Sequence, residues 1–304
     1  MSVEIRPVET DAEHEVALEL NNTIRPHHAV TIEDVRSYLA AVPQQHYLAW
    51  DGDLAVGTAS AAEQASRGVP LVRDLVRPES RRRRIGTALF AELSGWARER
   101  GFDELEAWID DHETDGLAFA RARGFVEISR ELKVALELEG FHPPPIEPPA
   151  GIEIVTWAER PDLVRGMYEV FREAEPDIPG EEDTELVPFE DWLAEHMTGS
   201  GDRPEWTFVA RAGDEVVGYA KFSLTAAQPQ TAFHDLTGVK RAWRGRGIAG
   251  ALKRTQIAWA KANGYTRVVT NNEERNEPIR RLNERLGYKP ALGRRLMRGP
   301  AASA

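Results

Sequence analysis

A short turn rich in arginine and glycine, residues 244–250, holds the residue types that point most directly to chemistry. It follows a β-branched segment and opens an amphipathic stretch, so we predict that it joins a strand to the start of a helix. Backbone N–H groups at a helix start lack partners within the helix and lie at its positive end, which attracts anions. Gly245 and Gly247 have no Cβ, so a phosphate can approach the main chain closely. Arg244 and Arg246 add charged, fork-shaped donors, and the turn is predicted to bind a phosphate-bearing ligand.

This turn resembles the acetyl-CoA loop of the GCN5-related N-acetyltransferase (GNAT) family, whose core reads Gln/Arg-x-x-Gly-x-Gly/Ala. Arg244, Gly247 and Ala249 match its three defined positions. The resemblance implies that acetyl-CoA is the cosubstrate, with its diphosphate at the turn and its thioester carbonyl at the main chain around Val239. An N–H aimed there would stabilise charge that develops only in the transition state. The residues predicted to bind acetyl-CoA are Thr237, Gly238, Val239, Arg244, Gly245, Arg246, Gly247, Ile248, Ala249, Gly250 and Asn276. The alternative is a tight strand–helix connection with surface arginines.

The resemblance also indicates a residue that accepts the proton of the attacking amine. In several family members a base lies four residues before the valine equivalent to Val239, and Asp235 has that position here. Period-2 alternation predicts that Asp235, Thr237 and Val239 share one face of the strand. His234 then lies on the opposite face unless a bulge intervenes, and we expect it in the core. The alternative for Asp235 is a strand-end carboxylate bound to backbone.

The family often shows Asn-x-x-Ala-x-x-Leu-Tyr before a closing Gly-Phe. Asn276 and Leu282 match this pattern, and Gly287-Tyr288 follows. Asn283 replaces the tyrosine that often serves as general acid to the leaving thiolate. It is predicted either to donate a hydrogen bond near the sulfur as a catalytic residue or to be a helix-surface or capping amide.

The composition is that of a globular protein and limits the partners. The 304 residues are 41% hydrophobic and 29% charged, a length that suits two domains. Cysteine is absent, which excludes disulfides, thiolate zinc sites and cysteine nucleophiles, and no metal is expected. The net charge of −12 argues against general nucleic-acid binding. The lack of a long apolar run and of an export segment predicts a cytoplasmic protein without membrane contacts.

Acidic residues are concentrated in one segment of the second half. Residues 173–196 hold ten acidic side chains and no lysine or arginine. Such a segment suits a cationic acceptor molecule, although a solvated acidic loop has the same composition.

The two halves repeat one pattern on either side of the proline-rich segment 140–151, which indicates a duplication. At a constant offset of 163, the matched pairs include Arg81 with Arg244, Ile85 with Ile248, Trp96 with Trp259 and Gly124-Phe125 with Gly287-Tyr288. The first copy has lost several site residues. Arg84 replaces a motif glycine, Val72 replaces Asp235, Glu113 replaces Asn276 and Ala120 replaces Asn283. The first half is therefore predicted to be degenerate, with binding of a CoA-like ligand left open.

Hydrophobic periodicity predicts the same order of elements in both halves. In the second half, strands are predicted over 152–157, 206–212, 216–223, 232–239 and 266–270, helices over 161–173, 189–196, 247–263 and 278–286, and a last strand from Gly287-Tyr288. The predicted class is α/β: two tandem GNAT-like domains, each a mixed, mostly antiparallel sheet flanked by helices. The expected boundaries are 1–139 for the first domain, 140–151 for the linker and 152–304 for the second.

The preferred function is an acyl-CoA-dependent N-acyltransferase whose second domain is active. It would move an acetyl group from acetyl-CoA to a primary amine of a small cationic acceptor by direct attack in a ternary complex. The alternative is a non-catalytic acyl-CoA-binding or scaffolding protein. The expected partner is a small-molecule amine, and the chain is expected to be a monomer or a homodimer.

Overall fold

The computed structural model describes residues 3–63, 68–178 and 186–302. Its helices are α1 (Asp11–Ile24), α2 (Ile32–Ala41), α3 (Ile85–Glu99), α4 (Thr114–Arg121), α5 (Val164–Ala174), α6 (Phe189–His196), α7 (Ile248–Ala262) and α8 (Glu277–Arg285). Its strands are β1 (Glu4–Pro7), β2 (Gln44–Asp51), β3 (Leu54–Ala62), β4 (Leu71–Val76), β5 (Glu104–Asp110), β6 (Val126–Glu137), β7 (Glu153–Thr156), β8 (Thr207–Ala212), β9 (Glu215–Ser223), β10 (Thr231–Val239), β11 (Arg267–Glu273), β12 (Lys289–Pro290) and β13 (Arg294–Pro300).

The chain forms two compact units. The first unit runs to Arg130 and also contains the C-terminal residues from Arg294 onward. Its sheet has the order β1-β2-β3-β4-β5-β13, in which the β4–β5 pair is parallel and the other pairs are antiparallel. Helix α3 supplies the apolar face that covers this sheet; its buried residues include Ile85, Leu89, Leu93 and Ala97.

The second unit, Glu131–Gly293, has the sheet order β6-β11-β10-β9-β8-β7, with a parallel β10–β11 pair. Alternate residues of β9 pack on opposite faces. Ala220 packs in the cluster that contains Leu252 of α7, and Tyr219 packs in the cluster that contains Met167 of α5 and Trp192 of α6. The sheet is therefore covered by α7 on one face and by α5 and α6 on the other.

Each sheet includes a strand that chain order assigns to the other repeat. β6 follows α4, yet its residues Glu131–Glu137 pair with β11 in the second unit. β13 follows α8, yet it pairs with β5 over its whole length in the first unit. The units therefore divide after Arg130 and after Gly293, whereas the boundaries expected from the sequence follow chain order.

The secondary structure expected from periodicity is confirmed in most places. Helix α6 has the predicted bounds, and the predicted mixed, mostly antiparallel sheets flanked by helices are present in both units. The strand expected to begin at Gly287-Tyr288 is only the two-residue β12. Within the acidic segment, residues 179–185 lie outside the described part of the chain. Among the described helices, none has both the length and the apolar character needed to cross a membrane.

The exchanged strand β13 gives a direct prediction about stability. Met297 is 1% exposed and packs in the core of the first unit. Its replacement by alanine should destabilise that unit by about 2–5 kcal/mol, because a cavity forms in a packed core. Hydrogen exchange should show lost protection in α3 and β5 while β10 keeps its own. Val268→Ala, in the core of the second unit, is the matched control and should show the reverse; the same pattern in both variants would contradict the assignment of β13.

Candidate functional site

The turn before α7 has the conformation that an anion site needs. Gly245 and Gly247 lie in the left-handed region, with φ of 75° and 89°. Helix α7 begins at Ile248, and its first helical hydrogen bond runs from the Ala251 amide to the Gly247 carbonyl at 3.0 Å. No side chain of the described residues caps this end. The three amides between Gly247 and Ala251 therefore have no acceptor within the helix and lie at its positive end.

The space in front of these amides is open to a ligand. A Cβ added at Gly245 would meet no atom within 4 Å, and one added at Gly247 would meet only Pro149 Cγ, at 3.9 Å. The two glycines therefore allow the left-handed backbone conformation and leave the approach to the amides free of side chains. Arg246 lies at the side of the turn, with its guanidinium 4.6 Å from the centre of the Trp243 ring.

The Arg244 side chain forms hydrogen bonds with other residues of the protein. Its Nε donates to the Val239 carbonyl at 2.9 Å, and its Nη1 donates to Asp177 at 2.6 Å. Arg241 donates to both oxygens of the same carboxylate, at 2.8 and 2.7 Å. Hydrogen bonds from Arg241 and Arg244, with their charges, lower the pKa of Asp177 to about 2 although partial burial opposes the shift. The bond from Arg244 to Val239 thus holds the turn at the end of β10. The sequence predicted that the positive charge of Arg244 would attract a phosphate, but the ion pair with Asp177 balances much of that charge.

Strands β10 and β11 separate beside the turn. They pair in parallel only at Thr231–Phe233 with Arg267–Val269, although both strands continue further. The Lys240 amide donates to Val217 on the β9 side at 2.9 Å. Because successive N–H groups of a strand alternate in direction, the Val239 N–H points away from β9, into the opening between β10 and β11. This N–H can reach a carbonyl oxygen placed in the opening.

A β-bulge changes the expected arrangement of side chains on β10. The pairing with β9 shifts between His234 and Leu236, so Asp235 is the extra residue. Thr237 and Val239 face α7, where Thr237 Oγ1 lies 2.9 Å from His234 Nε2. The prediction that Asp235 shares a face with Thr237 and Val239 is wrong, because one extra residue reverses the alternation beyond it.

Asp235 faces α5 and α6, where it belongs to a charged cluster. Lys221 Nζ lies 2.7 Å from carboxylate oxygens of both Asp235 and Asp202. The Lys221 side chain is 5% exposed and that of Asp235 is 38% exposed, so the cluster opens to solvent at Asp235. Burial would lower the pKa of Lys221, but the two carboxylates outweigh it and raise the value. Burial lowers the pKa of His196, on α6, to about 4.

Sequence reasoning missed Lys221 and Asp202. The signal for Lys221 was present, since a lysine interrupts the otherwise apolar run from Val216 to Phe222. A charged residue inside a buried strand needs a partner of opposite sign. Nothing in the sequence showed that its partners would come from positions 202 and 235.

Asn283 and Asn276 lie at the two ends of α8. Asn283 is 1% exposed, and its Nδ2 donates to Asn272 Oδ1 on β11 at 2.9 Å. It is therefore a core amide, and the helix-surface alternative for it is wrong. Asn276 precedes α8 directly, with its backbone N–H donating to the Glu273 carbonyl at 3.0 Å. The structure thus places Asn276 between the end of β11 and the start of α8.

His234 lies in the core, as expected, next to a second buried base. His234 is 1% exposed, and burial, with the charge of Lys253, holds its pKa well below the usual range. Lys253 on α7 is also 1% exposed, and burial lowers its pKa to about 7. Its Nζ lies 5.7 Å from the centre of the Tyr288 ring.

The lowered pKa of Lys253 predicts a pH-dependent stability. The native pKa is about 7 and the ordinary value is 10.5, so between these values the unfolded chain binds a proton that the native chain lacks. The free energy of unfolding then rises with pH across this window, by up to about 1.4 kcal/mol per pH unit. Lys253→Met should stabilise the protein most at pH 7 and below, and the gain should shrink toward pH 10. Urea unfolding at pH 6.5 and 9 measures this, with the exposed Lys289→Met as control; a gain independent of pH would contradict it.

The corresponding turn of the first unit keeps the backbone shape without the glycines. Arg82 and Arg84, at the positions of Gly245 and Gly247, both have φ of 63°. A left-handed conformation costs a non-glycine residue roughly 1–2 kcal/mol. Arg82 donates to the Asp115 carboxylate at 3.2 Å. The turn in the first unit thus carries two long side chains at positions where that of the second has none.

Comparison with known proteins gives the same family twice in one chain. A family model described as the acetyltransferase (GNAT) family matches residues 14–125 and 164–288. The first match contains the turn at 82–84, and the second contains Asp235 and the turn at 244–250. No curated protein has significant sequence similarity to the chain.

Solved structures with the same fold cover the whole chain. A tandem GNAT protein from the clavulanic acid biosynthesis pathway, solved without AcCoA, is 21% identical with a TM-score of 0.81, and the match covers 100% of both chains. A GCN5-related N-acetyltransferase from Sphaerobacter thermophilus is 23% identical with a TM-score of 0.76, over 99% of this chain and 96% of that one. A glucosamine N-acetyltransferase region of a fungal multi-domain β-N-acetylglucosaminidase is 17% identical with a TM-score of 0.75, over 98% of this chain and 38% of that one.

Proposed function

The chain belongs to the acetyltransferase (GNAT) family as a tandem member, and we propose that its second unit transfers an acetyl group from acetyl-CoA to a primary amine. The observation that carries the proposal is the bare turn at 244–250, which lies next to the opening between β10 and β11. The three amides at the start of α7 are available for the diphosphate. The Val239 N–H is available for the thioester carbonyl.

The first unit is proposed to be the degenerate copy. Arg82 and Arg84 project side chains where Gly245 and Gly247 leave the approach open. Val72, at the position of Asp235, is a buried apolar residue. The first unit thus lacks both glycines of the turn and a carboxylate at the position of Asp235.

We propose that the acceptor is small and cationic. The charged cluster has two carboxylates, Asp202 and Asp235, on the single lysine Lys221, and the more exposed of the two is Asp235. It lies against α5, which ends at the start of the acidic segment 173–196, and against α6, which forms the end of that segment. Asp202 already balances the charge of Lys221, so the partly exposed Asp235 carboxylate can attract a cation. It therefore attracts an ammonium group more strongly than it attracts a neutral alcohol.

Asp235 is proposed to accept the proton, directly or through one water. The amine nitrogen forms the new C–N bond, electrons move to the carbonyl oxygen beside the Val239 N–H, and the C–S bond then breaks. The proton lost by nitrogen goes to Asp235, and the leaving thiolate takes its proton from solvent. The pairing with Lys221 keeps Asp235 ionised and oriented, and holding both reactants supplies much of the acceleration.

A non-catalytic role in acyl-CoA binding is the second candidate, and Asn283 favours it. This buried amide bonds to Asn272, so the position at which the family often has an acidic tyrosine offers no hydroxyl.

Thiol release from acetyl-CoA in the presence of a panel of amines distinguishes the two candidates. The panel should contain polyamines, aminoglycosides, glucosamine and neutral alcohols of similar size, with the product mass measured. We expect release with at least one cationic amine and a product heavier by one acetyl group on nitrogen. Binding of acetyl-CoA without turnover by any amine would favour the non-catalytic role.

A further inference from the structure

Histidines gather around one buried carboxylate in the first unit. The Nε2 atoms of His27 and His28 lie 3.2 and 2.8 Å from the same oxygen, Asp110 Oδ2. A third ring, that of His112, lies 5.1 Å from the His27 ring, centre to centre. The chain has eight histidines, and three of them lie together here, which would not be expected of histidines scattered over a solvated surface.

The fold fixes this arrangement from two directions. His27 and His28 belong to a short 3-10 turn that follows α1, and Asp110 is the last residue of β5. The side chains are 42% exposed for His27, 29% for His28 and 6% for Asp110. The carboxylate is thus buried, while the histidines close the site on its open side.

Arg25 also binds Asp110. Its side chain is 7% exposed, donates to the same oxygen, Asp110 Oδ2, at 2.8 Å, and lies 3.3 Å from Glu113. Glu113 in turn accepts the Asp110 backbone N–H at 3.0 Å. These contacts fix the position of the Asp110 carboxylate.

We propose that His27, His28 and Asp110 bind a divalent transition-metal ion, with Zn²⁺ as the best match to two imidazoles and one carboxylate. Their three ligand atoms all lie within 4.8 Å of one another. Bonds of about 2.0–2.1 Å in tetrahedral geometry place such atoms about 3.3 Å apart, so only small movements are needed. A donor set without sulfur selects zinc, cobalt, nickel or iron over softer ions.

The positive charge of Arg25 does not exclude a cation here. With neutral imidazoles, Arg25, Asp110 and Glu113 together carry one net negative charge, which a divalent ion more than balances. Metal-bound carboxylates commonly accept a second hydrogen bond, and Arg25 is placed to donate it. In the bound state Arg25 keeps Asp110 oriented as a positioning residue.

This site goes beyond the proposed function and does not depend on it, because its residues belong to the first unit and the turn at 244–250 belongs to the second. It also revises the expectation from the sequence that the protein has no metal. A bound ion would tie the turn after α1 to the end of β5 and so stabilise the first unit.

The test is titration of the tag-free, chelator-treated protein with Co²⁺, followed by its visible absorption, and with Zn²⁺, followed by calorimetry. We expect binding of one ion per chain. The double variant His27→Ala/His28→Ala should bind the ion at least about tenfold more weakly. Even the loss of a residue that only hydrogen-bonds to a metal ligand commonly lowers metal affinity about 10–100-fold. His142→Ala, at an exposed position in the second unit, is the matched control and should bind like the wild type.

Thermal unfolding without metal checks that the double variant folds. Zinc should then raise the midpoint of the wild type and of His142→Ala but not that of the double variant. Absence of Co²⁺ and Zn²⁺ binding by the wild type would overturn the proposal. Equal affinity in the double variant would also overturn it, because the ion would then be bound elsewhere.

Discussion

Replacing Gly247 by arginine should weaken acetyl-CoA binding by roughly 10- to 100-fold. This loss corresponds to about one amide–phosphate hydrogen bond, which contributes about 1.5–3 kcal/mol. The substitution copies Arg84 of the first unit, which holds the same left-handed conformation. The new side chain would start in the space that is now open in front of the helix amides. Calorimetric titration with acetyl-CoA measures the change.

Gly264→Arg is the matched control for this variant. Gly264 has φ of 83°, close to the 89° of Gly247, and an added Cβ there meets no atom within 4 Å. Both variants therefore carry the same backbone strain, and thermal unfolding should show similar losses of stability. Only Gly247→Arg should lose affinity for acetyl-CoA, so equal affinity in the two variants would show that the turn does not hold the diphosphate.

Asp235→Asn should lower kcat by about 10²–10⁴, the usual contribution of a positioned proton acceptor. The amide keeps the shape of the carboxylate but cannot take the proton. Affinity for acetyl-CoA should stay close to that of the wild type, because Asp235 faces α5 and α6 and the turn at 244–250 is unchanged. Steady-state kinetics with the best amine and calorimetry with acetyl-CoA separate the two effects.

Asp202→Asn separates proton transfer from the support of Lys221. Asp202 and Asp235 both lie 2.7 Å from Lys221 Nζ, so each substitution removes one of its carboxylate partners. The Asp202 side chain is only 10% exposed, and its loss should lower stability far more than turnover. If both variants lose kcat equally, Asp235 acts through Lys221 and not as the proton acceptor.

The sequence predicted those features that depend on local pattern. The period of apolar residues predicted α7, and the Arg/Gly stretch predicted the turn that precedes it; the left-handed φ of Gly245 and Gly247 was seen only in the structure. Helix α6 was predicted with its bounds from a short run of residues. These features follow from interactions between residues a few positions apart, and such interactions can be seen in a single sequence.

The features that the sequence did not predict depend on distant partners. Alternating apolar residues in 126–137 indicate a strand but not the sheet that it joins, and residues 294–300 show no such alternation, so the exchange of β6 and β13 was missed. The bulge at Asp235 adds one residue to β10 without a break in composition, and it reverses the face that period 2 assigns. The bond of Arg244 to Asp177 joins positions 67 apart, which no local pattern reports.

The most direct test of the central claim is a crystal structure of the protein grown with excess acetyl-CoA. We predict that the diphosphate lies within hydrogen-bond distance of the amides of Ile248, Ala249 and Gly250, with the thioester carbonyl at the Val239 N–H. Asp235 should then lie on the acceptor side of the thioester. An unoccupied turn in the second unit, or acetyl-CoA bound there away from these amides, would contradict the account.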